Sequence, residues 1–257
     1  MNLPIHVISL PGSNERQAFI AGQLEGQGLP FSWLDGVNGR ALDAAEKALL
    51  YSEEKAVRQG GRALSPGEVG CALSHLKAYR TFLDSGAELA LVLEDDAALR
   101  PDFRSMLEGV VQAVDWQETD LLLLSHVQKY TEWGARPLVG DLRLVHTVTA
   151  YNGNGYLITR RGAEALLREL QPVFVPADSW NYLRKRGVLR IRAVIPYLVN
   201  HSTLSVDSVI GNIPRAVVDH PFLTRLWKGL KRVVYEKFLY QILVKPLLRI
   251  RKQPVTW

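Results

Sequence analysis

L-A-L-V-L-E-D-D-A-A-L, residues Leu89 to Leu99, sets five apolar residues directly against three carboxylates, Glu94, Asp95 and Asp96. A short run rich in Leu and Val reads as a strand buried on both faces. Three acids at its end repel one another by about a kcal/mol or more per close pair unless a cation lies among them. Hard divalent ions such as Mg²⁺ and Mn²⁺ take carboxylate oxygens and bridge them to substrate phosphates. Open α/β sheets place ligands at the carboxyl ends of their strands, which is where this cluster falls. The plain alternative is a solvated acidic turn, with Pro101 and Asp102 opening the next helix.

Upstream, Ser65-Pro66-Gly67-Glu68 is a helix start, with Ser65 as N-cap, Pro66 in the first turn and Glu68 closing a capping box. The helix should run to about Asp84 and stop at Gly86. Glu68, Cys71, His75 and Tyr79 then share one strip that borders the apolar face of Val69, Leu76 and Leu83. Because this helix feeds the central strand, the strip faces either the same cleft or the edge of the core. Further back, Ile5–Leu10 reads as a first strand, Ser13 to Gln27 as a turn and helix, and Phe31–Leu34 as a second strand. Strand, helix and strand in about 30 residues are the signature of a parallel sheet. A helix is expected over 44–58 and a loop at Gly60-Gly61.

Downstream, Asp120–Ser125 is another buried strand, 126–140 reads as a surface loop, and Leu142–Ala150 as a strand. Tyr151 to Leu167 holds a Gly/Asn turn, a strand over Tyr156–Ile158 and a helix from about Arg160. Gly153 and Gly155 would let backbone approach a ligand closely, and a simple tight turn explains them equally well. Val173 to Asp178 is a short extended run ending in a carboxylate, before a helix over Ser179–Arg186 stopped by Gly187. As N-cap of that helix, Asp178 would have a purely structural role. Val188–Val199 supplies one or two strands and leads into Asn200-His201-Ser202, a loop of the kind in which site residues concentrate.

The chain has 257 residues, 47% of them hydrophobic, enough for one substantial core with an appendage. Its one cysteine, Cys71, excludes an internal disulfide framework and suits a reducing compartment. The first residues lack the basic region of a signal peptide, and no window reaches the length of a membrane span. The net charge of +5 is uneven: residues 225–257 carry nine Lys/Arg and one acid, whereas residues 1–224 sum to −3. From Pro221 to Ile242, Leu223, Leu226, Trp227, Leu230, Val233, Val234 and Phe238 recur at helical spacing, with Arg225, Lys228, Lys231 and Arg232 between them. Such a basic amphipathic helix either packs on the body or lies on an anionic membrane surface. The expected division is a domain over 1–220 and a basic C-terminal extension over 221–257, with no nucleic acid among the expected partners.

V-I-S-L-x-x-S-x-E-R at 7–16, G-E-V-G-C-A-L-S-H at 67–75, L-V-L-E-D-D-A at 91–97, G-Y-L-I-T-R-R-G-A at 155–163 and P-A-D at 176–178 follow one another in order. Together they resemble the bacterial lipopolysaccharide glycosyltransferases of family 25, whose animal relatives galactosylate hydroxylysine in collagen. The resemblance covers roughly residues 3–210. It implies a GT-A type fold, a Rossmann-like, mostly parallel sheet flanked by helices, and inverting transfer from a nucleotide sugar, often UDP-galactose, with Mn²⁺ at the E-D-D element. The acceptor would be a lipopolysaccharide or other lipid-linked glycan, and the basic tail would then hold the protein on the cytoplasmic face of the inner membrane.

On that footing Asp96 is expected as a direct ligand of Mn²⁺ or Mg²⁺, Glu94 as a second or water-mediated ligand, and His201 as a metal or diphosphate contact. Asp95 would meet the donor's ribose or sugar, Arg16 the diphosphate or nucleotide, and Ser74, His75, Gly153 and Gly155 the donor pocket. Asp178 is the expected base, since an acceptor hydroxyl must lose a proton as it attacks. Two rivals belong to other classes: a metal-dependent phosphohydrolase, and a non-catalytic membrane-associated binding protein that keeps the fold.

Overall fold

The computed structural model describes residues 3–204 and 244–255. The predicted amphipathic helix over Pro221–Ile242 lies outside the described residues. The chain starts as the alternation predicts, with β1 (Ile5–Ser9), α1 (Asn14–Gly26) and β2 (Ser32–Asp35), and β1 pairs in parallel with β2. The helix expected over 44–58 is two, α2 (Ala44–Leu50) and α3 (Glu53–Gly60). Tyr51 and Ser52 break it: Ser52 caps α3, and the Tyr51 hydroxyl accepts a 2.8 Å hydrogen bond from the Leu64 N–H. α4 (Pro66–Asp84) forms with the full capping box of Ser65 and Glu68.

β3 (Leu89–Glu94) lies beside β1 and parallel to it. Its pleat sends Ala90 and Val92 into one apolar core and Leu91 and Leu93 into another, on the opposite face. α4 packs on the first face, while Ile20 and Leu24 of α1 and Phe103, Leu107 and Val110 of α5 (Phe103–Ala113) pack on the second. Each fully buried Leu, Val or Phe contributes about 1.5–3 kcal/mol through the surface it removes from water. The central strand is therefore covered on both sides, as a continuous apolar run requires.

Between β3 and α5 lies the short β4 (Ala97–Leu99); then follow β5 (Leu121–Leu123), β6 (Lys129–Pro137), β7 (Arg143–Thr149) and β8 (Gly155–Thr159). α6 (Arg160–Glu169), α7 (Trp180–Lys185), β9 (Ile191–Ile195), β10 (Val199–His201), α8 (Lys245–Leu247) and β11 (Ile250–Lys252) complete the described chain. One sheet of nine strands runs β11-β6-β7-β9-β5-β8-β3-β1-β2, and β4 pairs separately with β10.

The expectation of a mostly parallel sheet is corrected here. Only β1–β2, β1–β3 and β5–β9 pair in parallel, and the other five neighbouring pairs of the nine-stranded sheet are antiparallel. The short link from Pro137 to Arg143 can only reverse the chain, since a parallel return needs a long crossover. The surface loop expected over 126–140 is also corrected: most of it is β6. Its alternation is masked by register irregularities along its pairing with β7 and by Gly134 at φ +74°.

The far C-terminus belongs to the same sheet. β11 pairs with β6, Ile250 is buried, and the Gln253 side-chain oxygen accepts from the Val127 N–H at 2.7 Å. A domain boundary that sets all of 221–257 apart therefore cuts through the sheet at its last strand.

Candidate active site

The carboxyl ends of β1, β2 and β3 open into a cavity of about 510 Å³. β8 runs antiparallel to β3, with Leu93 opposite Gly155, so the start of β8 reaches the same end of the sheet. Ser9, Arg16, Asn38, Arg40, Glu94, Asp95, Asp96, Asn152, Gly153, Asp178 and His201 all lie along its wall. Two backbone bonds lock the acidic turn in place: the Glu94 N–H donates to Asn154 O at 3.1 Å and the Asp95 N–H to Ile8 O at 3.0 Å.

The three acids do not converge. Asp95 is buried, accepts from the Ser9 hydroxyl at 2.7 Å and pairs with the Arg16 guanidinium at 2.7 Å. Burial still raises its pKa, against the pull of Ser9 and Arg16. Asp96 is buried too, and one oxygen lies 3.2 Å from Arg16 and 3.6 Å from His201 Nδ1. Hydrogen bonding to Asp96 raises the His201 pKa. His201 is delivered by the antiparallel pair β4–β10, which sets it opposite Ala97, and by the Ser202 N–H donating to Asp96 O at 2.8 Å. Glu94 turns the other way, to within 3.2 Å of His75 Nε2.

Asp178 stands next to Gly153, where an added Cβ would lie 3.4 Å from the Asp178 Cβ and 3.6 Å from a Glu94 oxygen. The N-cap position of α7 falls to Ser179 and not to Asp178. Burial first, and the neighbouring Glu94 second, push its pKa up to about 6.

Of the other expected pocket residues, His75 is buried and reaches the cavity wall through its Glu94 edge. Ser74 is also at the wall, but its hydroxyl donates to Gly70 O at 2.7 Å and accepts from the Val37 N–H at 2.8 Å, so it pins the loop after β2. Gly155 lies within the sheet, where a Cβ would meet the Val199 side chain at 2.8 Å. Its smallness makes room for β10.

The loop Gly36–Arg40 was not singled out from the sequence, although it follows a parallel strand, where the strand-end rule would have directed attention. It is clamped backbone to backbone on α4: a Cβ on Gly39 would lie 1.9 Å from Pro66 O, and one on Gly70 2.4 Å from Val37 O. Asn154, in the turn before β8, also supports the site. It is buried, its side-chain oxygen accepting from Ser125 at 2.6 Å while its amide donates to Asn200 O at 2.9 Å, which ties the acidic turn to the His201 strand.

A hard divalent cation fits one part of this wall. Asp96 Oδ1 is buried without a hydrogen-bond partner, and its other oxygen sits beside the His201 ring. Asp95 is already committed to Ser9 and Arg16, and Glu94 to His75.

A family model described as glycosyltransferase family 25 (LPS biosynthesis protein) matches residues 2–180. Procollagen galactosyltransferase 1 of Danio rerio is 29% identical over 186 residues, 68% of this chain and 30% of that protein. A glycosyltransferase 25 family member of Anopheles gambiae is 28% identical over 185 residues, again 68% of this chain and 30% of the relative. The chain thus spans about 30% of the length of these relatives. Among solved structures, a glycosyltransferase involved in the glycosylation of the major capsid of PBCV-1 aligns over 78% of this chain and 92% of that one, with a TM-score of 0.40 and 13% identity.

Proposed function

The chain belongs to glycosyltransferase family 25, and from that premise we propose that it moves a hexose, galactose in our reading, from a UDP-sugar to a lipopolysaccharide or other lipid-linked glycan, with inversion at the transferred carbon. The observation that carries this reading is the cavity itself: a carboxylate with its pKa raised to about 6 and an arginine-bound acid pair line one space, into which the carboxyl ends of parallel strands open. We read the sheet as GT-A type on the same grounds.

Transfer asks for a base, charge stabilisation on the leaving diphosphate, and a fixed line of attack. Asp178 is the base. With a pKa raised to about 6 it is ionised at pH 7 and above, yet basic enough to take the acceptor hydroxyl's proton as that oxygen bonds to the sugar and the diphosphate departs. Arg16 directs its guanidinium to the diphosphate end of the cavity, held in place by Asp95 and Asp96. The backbone of Gly36–Arg40, fixed by Ser74, offers polar groups to the nucleotide. Asp96 and His201 would hold Mn²⁺ or Mg²⁺, which when bound supplies positive charge to the diphosphate.

The test is UDP release. Protein is incubated with a panel of UDP-sugars, Mn²⁺ and a lipid-linked glycan acceptor. Acceptor-dependent UDP release supports the reading, and its absence across the panel overturns it.

No helix among the described residues is long and apolar enough to cross a membrane. We place the protein peripherally on the cytoplasmic face of the inner membrane, on the strength of the nine Lys/Arg against one acid in residues 225–257. Ending the chain at Asp219 would also strip β11 from the sheet, so the test neutralises Arg225, Lys228, Lys231 and Arg232 to Gln instead. Co-sedimentation with anionic liposomes should fall and become insensitive to salt; equal sedimentation of the variant would remove this segment as the anchor.

A further inference from the structure

Among the described residues, Cys71, His75 and Glu94 form the group in which one donor atom from each side chain lies within 4.8 Å of the other two. The set predicted from the sequence, Glu94 with Asp96 and His201, is not gathered in this way. Cys71 and His75 sit one helical turn apart on α4, so they present their donors from one face. Glu94 closes the group from the end of β3, and all three residues line the cavity. We propose that this trio binds a thiophilic divalent cation of the zinc class, at a position separate from Asp96 and His201.

The donor chemistry sets the class of ion. Thiolate, imidazole and carboxylate together select Zn²⁺ or its analogues, whereas Mg²⁺ and Mn²⁺ disfavour thiolate and take mainly oxygen donors. Zinc bonds of about 2.0–2.3 Å place tetrahedral ligands roughly 3.3–3.8 Å apart; His75 Nε2 and Glu94 are already 3.2 Å apart, and only the Cys71 sulfur has to move closer, within the 4.8 Å that spans the group. His75 is the fixed member. It is buried, its Nδ1 lies 2.7 Å from the Tyr156 hydroxyl, and that hydroxyl lies 2.9 Å from the Tyr79 hydroxyl. Such outer partners orient a histidine ligand and set its tautomer.

The two tyrosines serve both states of the ring. Without a cation, Nε2 faces Glu94 and Nδ1 faces the Tyr156 hydroxyl, which in turn meets that of Tyr79. With a cation on Nε2, the ring proton moves to Nδ1 and donates to the Tyr156 hydroxyl, which turns to donate to Tyr79. Burial, with Glu94 and Asp178 nearby, keeps Cys71 a thiol in the empty site, so binding releases one proton from sulfur. Two negative ligands, thiolate and carboxylate, then balance the two positive charges, and the fourth position opens to the cavity.

The test titrates Co²⁺ into tag-free, full-length protein without donor or acceptor, so that its outcome is independent of whether the chain transfers sugar. A thiolate-to-cobalt charge-transfer band saturating at one ion per chain is expected, and Zn²⁺ should bleach it. Cys71 is the chain's single cysteine, so Cys71→Ser must abolish the band. Tyr156→Phe should keep the band but weaken binding by roughly 10–100-fold. Where Cys71→Ser fails to fold, protection of the wild-type thiol from alkylation by Zn²⁺, and not by Mg²⁺, gives the same answer. Absence of the band, its survival in a folded Cys71→Ser, or alkylation unaffected by Zn²⁺ would overturn the site.

Discussion

Asp95 and Asp96 on the Arg16 part of the cavity wall, and Glu94 and Asp178 on the His75 part, are acids in the same space with opposite surroundings. The first pair shares Arg16, at 2.7 and 3.2 Å, and Asp95 adds the Ser9 hydroxyl. The second pair has each other's charge and the His75 ring. A guanidinium that bridges two carboxylates fixes geometry and stays charged at every working pH. An acid pressed by burial and by a neighbouring acid holds its proton loosely near neutrality. One wall is therefore suited to gripping a ligand, and the other to exchanging a proton or accepting a cation.

The contrast breaks most sharply at Asp178. Asp178→Asn should lower turnover by roughly 10²–10⁴ and leave donor affinity unchanged, because it removes a proton acceptor and no diphosphate contact. A collapse of donor affinity in equilibrium binding would move Asp178 to the gripping wall. Asp96→Asn comes next, with a loss of roughly 10²–10³ in transfer and a matching loss on EDTA treatment of the wild type. Full activity of a well-folded Asp96→Asn, or activity indifferent to EDTA, would empty that wall of its cation.

A smaller effect concerns stability. The Asp178 pKa is raised from 3.8 to about 6, so between these values the folded protein keeps a proton that the unfolded chain has lost. Stability accordingly falls as pH rises from about 4 to about 6, by about 2–3 kcal/mol, and the cost persists above that range. Asp178→Asn carries no such cost, so it should melt higher than wild type at pH 7.5 while turning over slower. Lower melting of the variant at that pH would show that Asp178 supports the fold after all. The smallest change expected is at Gly155. Gly155→Ala drives a methyl into Val199 and should cost at least about 1 kcal/mol in denaturant unfolding, with donor KM unmoved. A KM effect without a stability effect would return Gly155 to the donor pocket.

What could be read from the chain, and what could not, follows from which forces are local. The α4 start was legible because a capping box uses residues three apart, and β3 because a strand covered on both faces must be apolar throughout. Strand direction carries no such mark, which is why an antiparallel half was read as parallel. β6 hid behind Gly134 and its broken register with β7. At the site, membership was largely legible: Arg16, Ser74, His75, Glu94, Asp95, Asp96, Gly153, Asp178 and His201 all reach one cavity. Their partnerships were not. Glu94 ends a pleated strand whose side chains alternate sides, so neighbours in sequence parted in space. The meeting of Asp96 with His201 depends on a β4–β10 pairing that joins residues about a hundred positions apart.

The last strand has a consequence for how the sheet is made. β11 closes on β6 through contacts between residues separated by 119 and 126 positions, Arg251 with Glu132 and Gln253 with Val127. On the ribosome, β6 therefore emerges with one edge unpaired and Trp133 beside it, and stays so until residue 250 has been synthesised. Contacts of such long range form late and slowly, so for most of its synthesis the nascent protein presents an open β-edge, the surface on which a chaperone or a second nascent chain would settle.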